Sequence, residues 1–208
     1  TIKPIGGGEN SNLTIQGSDV SGQAVNLEAD NQVALLAASN TSTQTSSNNS
    51  HSASVGVAAQ LGNGGGGIGF TGSLSKGSGN GNGAETTYNN THIAGQDSVT
   101  VKSGGDTTLK GATVTGKQVT ATVGGNLNIE SLQDTATYAE KNQQVGGSVM
   151  VGVTQSGAVS GNINLAKSNI DSSYASVTEQ STLKAGDGGF TVNVQGNTDL
   201  KGGAITST

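Results

Sequence analysis

Cysteine, arginine and tryptophan are absent from these 208 residues, and the aromatic residues (Phe70, Phe190, Tyr88, Tyr138 and Tyr174) make up only 2%. Without cysteine there is no disulfide framework, thiolate zinc site or thiol nucleophile, and thiol usage does not report a compartment. Without arginine the chain lacks the forked donor that reads phosphates and bases, and its formal charge is −5, so no nucleic-acid partner is expected. No apolar run approaches the roughly 18 residues of a membrane helix. The opening TIKPIGGGEN has no signal-peptide pattern, and the missing initiator Met is read as the mark of an internal segment. Apolar residues reach only 31%, which excludes a globular core of large side chains.

What remains is small and polar. Gly, Ser, Thr and Asn fill half of the chain, and Gly alone accounts for 35 positions. No long run has apolar residues at helical three-and-four spacing, so an α-fold is not expected. Short apolar alternations recur instead between Gly-containing turns: Leu13/Ile15, Val25/Leu27, Val33/Leu35, Val99/Val101, Leu127/Ile129 and Val192/Val194. Leu13 to Val33 and Val99 to Val119 are each one 20-residue step, and Leu109 to Leu127 is read as an 18-residue step, close to one solenoid coil.

A longer repeat overlies the short one. DTTLKGATVTG (106–116) returns as NTDLKGGAITS (197–207), and IAGQDSVTV (93–101) returns as KAGDGGFTV (184–192). LTIQGSDVSGQAV (13–25) also matches TTLKGATVTGKQV (107–119), aligning Gly17 with Gly111. These patterns predict an all-β fold, a right-handed parallel β-helix (solenoid) with β-hairpin excursions. The coil parts are 11–39, 92–130 and 182–208, and the excursions are 40–91 and 131–181. Inward ladders of Val, Leu, Ile and Ala replace a globular core, and the coil parts would make about five turns, on the order of 24 Å of rod.

Each excursion is polar at its entry and then alternates small and apolar residues about a Gly-rich centre, GNGGGG in the first and QSGAVS in the second. Alternation over about 9–11 residues suits a membrane-crossing β-strand with one apolar face. The candidate membrane or partner contacts are Val149, Val151, Val153, Ile163, Leu165, Val55, Val57, Ile68 and Phe70. Packing along the rod's own flank is the other reading of the same alternation.

Chemistry-bearing motifs are sparse. Gly67, Gly69 and Gly72 satisfy G-x-G-x-x-G, but the SLSKGSGNGNG that follows cannot open the helix a dinucleotide site requires. His51 and His92 are the only imidazoles, 41 residues apart, too few for a zinc site, and they are read as surface or turn residues. Asp106 after Gly104-Gly105 and Asp187 before Gly188-Gly189 lack the tandem nonapeptide of calcium-binding β-rolls and are assigned to turns. No G-x-S-x-G elbow and no paired carboxylates are present. The chain is therefore expected to have no catalytic residues, no metal and no cofactor, and not to be an enzyme.

GGNLNIESLQDTATYAEKNQQVGGSVMVG (124–152), followed by SNIDSSYASVTEQSTLKAGDGGFTVNVQGNTDLKGGAI (168–205), resembles the haemagglutinin repeats of filamentous-haemagglutinin-like exoproteins of two-partner secretion. Within that family the second copy is most similar to contact-dependent growth inhibition effectors of the CdiA type. The resemblance implies part of a long exported stick on a Gram-negative surface, associated with the outer membrane and exported through a two-partner-secretion outer-membrane transporter. It further implies that the stick presents a C-terminal toxin and helps deliver it across the target cell's outer membrane, by way of that membrane or a surface receptor. The alternative is an adhesin segment of filamentous haemagglutinin type mediating attachment. Exposed coil edges at the two ends are expected to favour end-to-end self-association.

Overall fold

A computed structural model describes residues 1–60, 67–153 and 159–208. Fourteen β-strands account for most of them, and no α-helix is present among the described residues. The expected hairpin turns at 62–67 and 155–160 lie almost wholly outside the described residues. The chain divides into two compact units: residues 1–41, 85–135 and 174–208 form the first, and residues 42–84 and 136–173 the second.

The first unit is built from two five-stranded parallel sheets. One contains the short strands β1 (Leu13–Gln16), β3 (Val33–Leu36), β7 (Thr107–Lys110), β9 (Leu127–Glu130) and β13 (Thr198–Lys201), stacked in that order. The other stacks β2 (Asp19–Ala29), β6 (Thr91–Ser103), β8 (Ala112–Val123), β12 (Thr182–Val194) and β14 (Ala204–Ser207). Successive strands along the chain alternate between the two sheets, an all-β arrangement of parallel sheets compatible with a β-helix.

The ladders follow from a 20-residue step. Leu13 pairs with Val33, Val33 with Thr107, Thr107 with Leu127, and Leu127 with Thr198. One pleat further on, Ile15, Leu35, Leu109, Ile129 and Leu200 form the next ladder. Leu109 therefore stacks on Ile129, not on Leu127 as the sequence spacing suggested. The step is 20 residues here too, because Thr107 occupies the inward position where an apolar residue was sought. Its hydroxyl shares a 2.7 Å hydrogen bond with that of the buried Ser103, so the inward polar atoms cost little. In the second sheet Val25, Val99, Val119 and Phe190 stack, as do Val20, Ile93, Val114, Leu183 and Ile205. Alternate residues of β3, β6, β7, β8 and β9 are buried, so small β-branched side chains fill the space that aromatics would fill in a globule.

Corners need particular residues. Gly17, Gly111 and Gly202 precede β2, β8 and β14 with φ of 54°, 65° and 65°, a region open to glycine. A Cβ at Gly111 would also lie 2.6 Å from the Cβ of Ala37. Before the short strands, side-chain oxygens cap the neighbouring turn. Asn12 Oδ1 accepts from the Gln32 amide, Asp106 Oδ1 from the Asn126 amide at 2.7 Å, and Asn126 Oδ1 from the Asn197 amide at 2.9 Å. Asp106 is thus a turn-capping residue. Outward positions carry ion pairs: Glu28 meets Lys3 and Lys102, and Glu130 meets Lys110 and Lys201.

The second unit holds most of four long strands, β4 (Ala38–Gln60), β5 (Gly67–Asn89), β10 (Asp134–Gly152) and β11 (Val159–Ser176). They form one sheet in the order β11-β10-β5-β4. Gly67, Gly69 and Gly72 all lie within β5, with no helix following, so the dinucleotide pattern has no structural counterpart.

Candidate functional site

Side-chain pairs establish the faces of the four-stranded sheet. Ser52 and Ser75 share a 2.6 Å hydroxyl hydrogen bond, and Ser54 and Ser73 a 2.7 Å one. Stepping forward on β4 means stepping back on β5, so these strands are antiparallel. The serines share one face, which puts Val55 and Val57 of β4 with Ile68, Phe70 and Leu74 of β5 on the other. Met150 of β10 reaches the face of Gly69, leaving Val149 and Val151 on the face of Phe70. The Val153 amide, one residue past β10, donates to the Ile68 carbonyl at 2.9 Å. Val149 and Ile163 then line one shallow groove with Ala53, Val55 and Leu74, so β11 continues the same apolar face through Ile163 and Leu165.

The structure therefore brings all nine nominated residues onto one face of one sheet. All nine are exposed, with Val55 at 92%, Ile163 at 76% and Leu165 at 75%. The opposite face presents mostly Ser, Thr, Gly and Asn, with Met150 among them. Towards Ser46, Ser78, Asn142 and Lys167 the sheet becomes mostly polar, so the contiguous apolar surface is a band and not a stripe along the whole strand. These side chains form a contiguous exposed apolar patch, larger than singly scattered surface residues would make.

A second constellation lies in the first unit. His92 on β6 is the Cα partner of Asp19 on β2, and its Nδ1 lies 2.7 Å from Asp19 Oδ1. Its Nε2 lies 3.0 Å from both carboxylate oxygens of Glu179. The Asp19 hydrogen bond first, and the Glu179 hydrogen bond second, raise the His92 pKa above its usual 6.5. Asn90 Nδ2 donates to the Glu179 carbonyl, and Thr178 donates to the Asp134 carboxylate beside it. The two carboxylates grip opposite nitrogens of the ring, so the group is a clamp and not a convergent ligand set. The neighbouring Ser181 hydroxyl donates to the Glu130 carbonyl and accepts from the Ala112 amide, tying the segment that enters β12 to two other strands. His51 is an exposed residue of β4.

Reading the sequence missed the His92 clamp. Its acids lie 73 and 87 residues away in the chain, and only the stacking of β2 on β6 brings the first of them into reach.

Stacked parallel ladders of small apolar residues in one unit and a long-stranded antiparallel sheet in the other define an all-β repeat protein. Residues 5–147 match the hemagglutinin repeat family, and the chain belongs to it. A protein named tRNA nuclease CdiA from Yersinia mollaretii is 42% identical over 202 residues, 96% of this chain and 7% of that protein. Toxin CdiA from Escherichia coli is 44% identical over 126 residues, 59% of this chain and 4% of its own length. Deoxyribonuclease CdiA from Dickeya dadantii is 37% identical over 125 residues, with the same shares. The chain is thus a segment's worth of a CdiA-like exoprotein, spanning less than a tenth of these relatives.

Proposed function

We propose that this chain is a right-handed parallel β-helical segment of an exported, cell-surface CdiA-like exoprotein, and that its antiparallel sheet contacts the target cell's outer membrane during delivery of a C-terminal toxin. The right hand follows the near-universal preference of parallel β crossovers. Export through a two-partner-secretion transporter and residence at the outer surface of a Gram-negative cell belong to the same reading, by way of the relatives.

One observation carries the membrane step: apolar side chains from all four strands share one exposed face, while the reverse face is hydroxyl- and amide-rich. Water disfavours such a face, and a bilayer interior favours it. The relatives support a non-catalytic role. They are named for a tRNA nuclease, a deoxyribonuclease and a toxin, yet they share this stretch, so its work is common to different cargoes.

Flotation with vesicles made from outer-membrane lipid tests the proposal. The wild-type chain should float with the vesicles. A Val55→Ser, Val149→Ser, Ile163→Ser variant should stay with the soluble fraction while keeping its β-sheet circular dichroism. Failure of the wild-type chain to associate would overturn the membrane step.

A further inference from the structure

Open sheet edges are not tolerated in hydrocarbon, because no water is there to satisfy an unpaired backbone N–H or C=O. The four-stranded sheet has two such edges, the outer sides of β4 and β11, neither of which has a partner strand among the described residues. These edges also lack what normally keeps edges apart. Soluble proteins protect them with charge, proline or bulges. Yet β4 runs for 23 residues without one acidic residue, lysine or proline, and β11 has only Lys167 and Asp171 in 18. A long, uncharged edge is a surface built to accept another strand.

The chain already contains the seam such a pairing would use. Strand β5 closes the first excursion and β10 opens the second, and the two lie side by side although they come from different repeats. Strand β11 closes the second excursion as β5 closes the first, and β4 opens the first as β10 opens the second. Because strand direction alternates across the sheet, β11 of one copy meets β4 of another antiparallel, as β5 meets β10.

We propose that two copies of this chain join edge to edge at the membrane, β11 to β4 at both seams, closing an eight-stranded antiparallel barrel. Four strands from each of two copies reach eight, the smallest strand number of bacterial outer-membrane barrels. Closure would turn the Val55, Phe70, Val149 and Ile163 face to lipid and enclose the Ser52, Ser54, Ser73, Ser75, Asn162 and Asn164 face. Small polar side chains suit the narrow interior of a barrel this size. This inference rests on the proposed membrane contact, and it commits to a second copy as the occupant of both edges.

The absence of cysteine makes a clean test. Ser168→Cys on β11 is combined in one chain with Ser46→Cys, Asn48→Cys or Ser50→Cys on β4. The two edges of one flat sheet lie three strand spacings apart, about 14 Å, too far for a disulfide within a copy. Each double variant is mixed with outer-membrane lipid vesicles, oxidised, floated and run on a non-reducing gel. The expected result is a covalent dimer among the floated chains for one variant of the series. That dimer should disappear when Asn169→Pro is added to block the β11 edge, because alternate residues of β11 turn their amides to β10 and Asn169 belongs to the outward set, and it should remain when Thr1→Pro is added instead. Floating chains that give no covalent dimer in any variant overturn the seam and leave the membrane contact standing. A ladder of larger covalent oligomers overturns two-copy closure. Covalent dimer formed only without flotation overturns the membrane reading on which the barrel rests.

Discussion

Asp19 and His92 face each other as register partners across β2 and β6, with a carboxylate oxygen 2.7 Å from the ring nitrogen. Glu179 holds the ring's other nitrogen, so the protonated ring is favoured in the folded chain and its pKa is raised. The clamp's stability is fully present below the unfolded value of 6.5 and is lost as pH rises through the elevated folded value. The melting temperature should therefore fall across that window, and His92→Gln should flatten the profile. The ring is partly exposed, so each contact is worth on the order of 0.2–1 kcal/mol. A pH-independent difference between the two proteins would contradict the assignment.

Glu28 titrates in the opposite sense. Hydrogen bonds from Lys102 first and Lys3 second lower its pKa from 4.5 to about 2. The stabilisation it provides is complete above pH 4.5 and disappears as pH falls towards 2. Glu28→Gln should remove part of the acid-induced loss of stability, read by thermal melts between those limits. An unchanged acid profile would contradict it.

Leu109 is fully buried between Leu35 and Ile129 in a ladder that ends at the half-exposed Leu200. Leu109→Ala should destabilise by about 2–5 kcal/mol in chemical denaturation. Leu200→Ala should cost well under half as much. Equal costs would mean that the ladder does not form a core.

Gly111→Ala should destabilise more than an ordinary surface substitution, because its φ of 65° disfavours a side chain and the new Cβ would crowd Ala37 and Leu132. Gly72→Ala, where a Cβ meets nothing within 4 Å, is the matched control in a strand. Similar melting temperatures for the two variants would contradict the corner argument.

The alternation of Leu13/Ile15, Val25/Leu27 and Val99/Val101 was legible in the chain because a period of two with one buried face leaves a direct pattern of small apolar residues. The stacking of Leu109 was misread by two residues because Thr107 and Ser103 satisfy each other inside, and hydroxyl pairs leave no hydrophobic mark. The apolar residues of the excursions could be named singly. That Val55 and Ile163 belong to one face depends on β5 pairing with β10, a contact between repeats to which no local pattern points. His92 was invisible for the same reason, its partners being set by coil stacking and not by spacing.

The proposed membrane contact sets the face bearing Val55 and Val149 against lipid. An environment-sensitive fluorophore attached at Val55→Cys or Val149→Cys, and at Ser54→Cys on the reverse face, tests it in a chain that has no other thiol. On adding outer-membrane lipid vesicles, emission should shift to the blue at the first two positions and stay unchanged at the third. No shift at any position, or a shift at Ser54→Cys alone, would contradict the account.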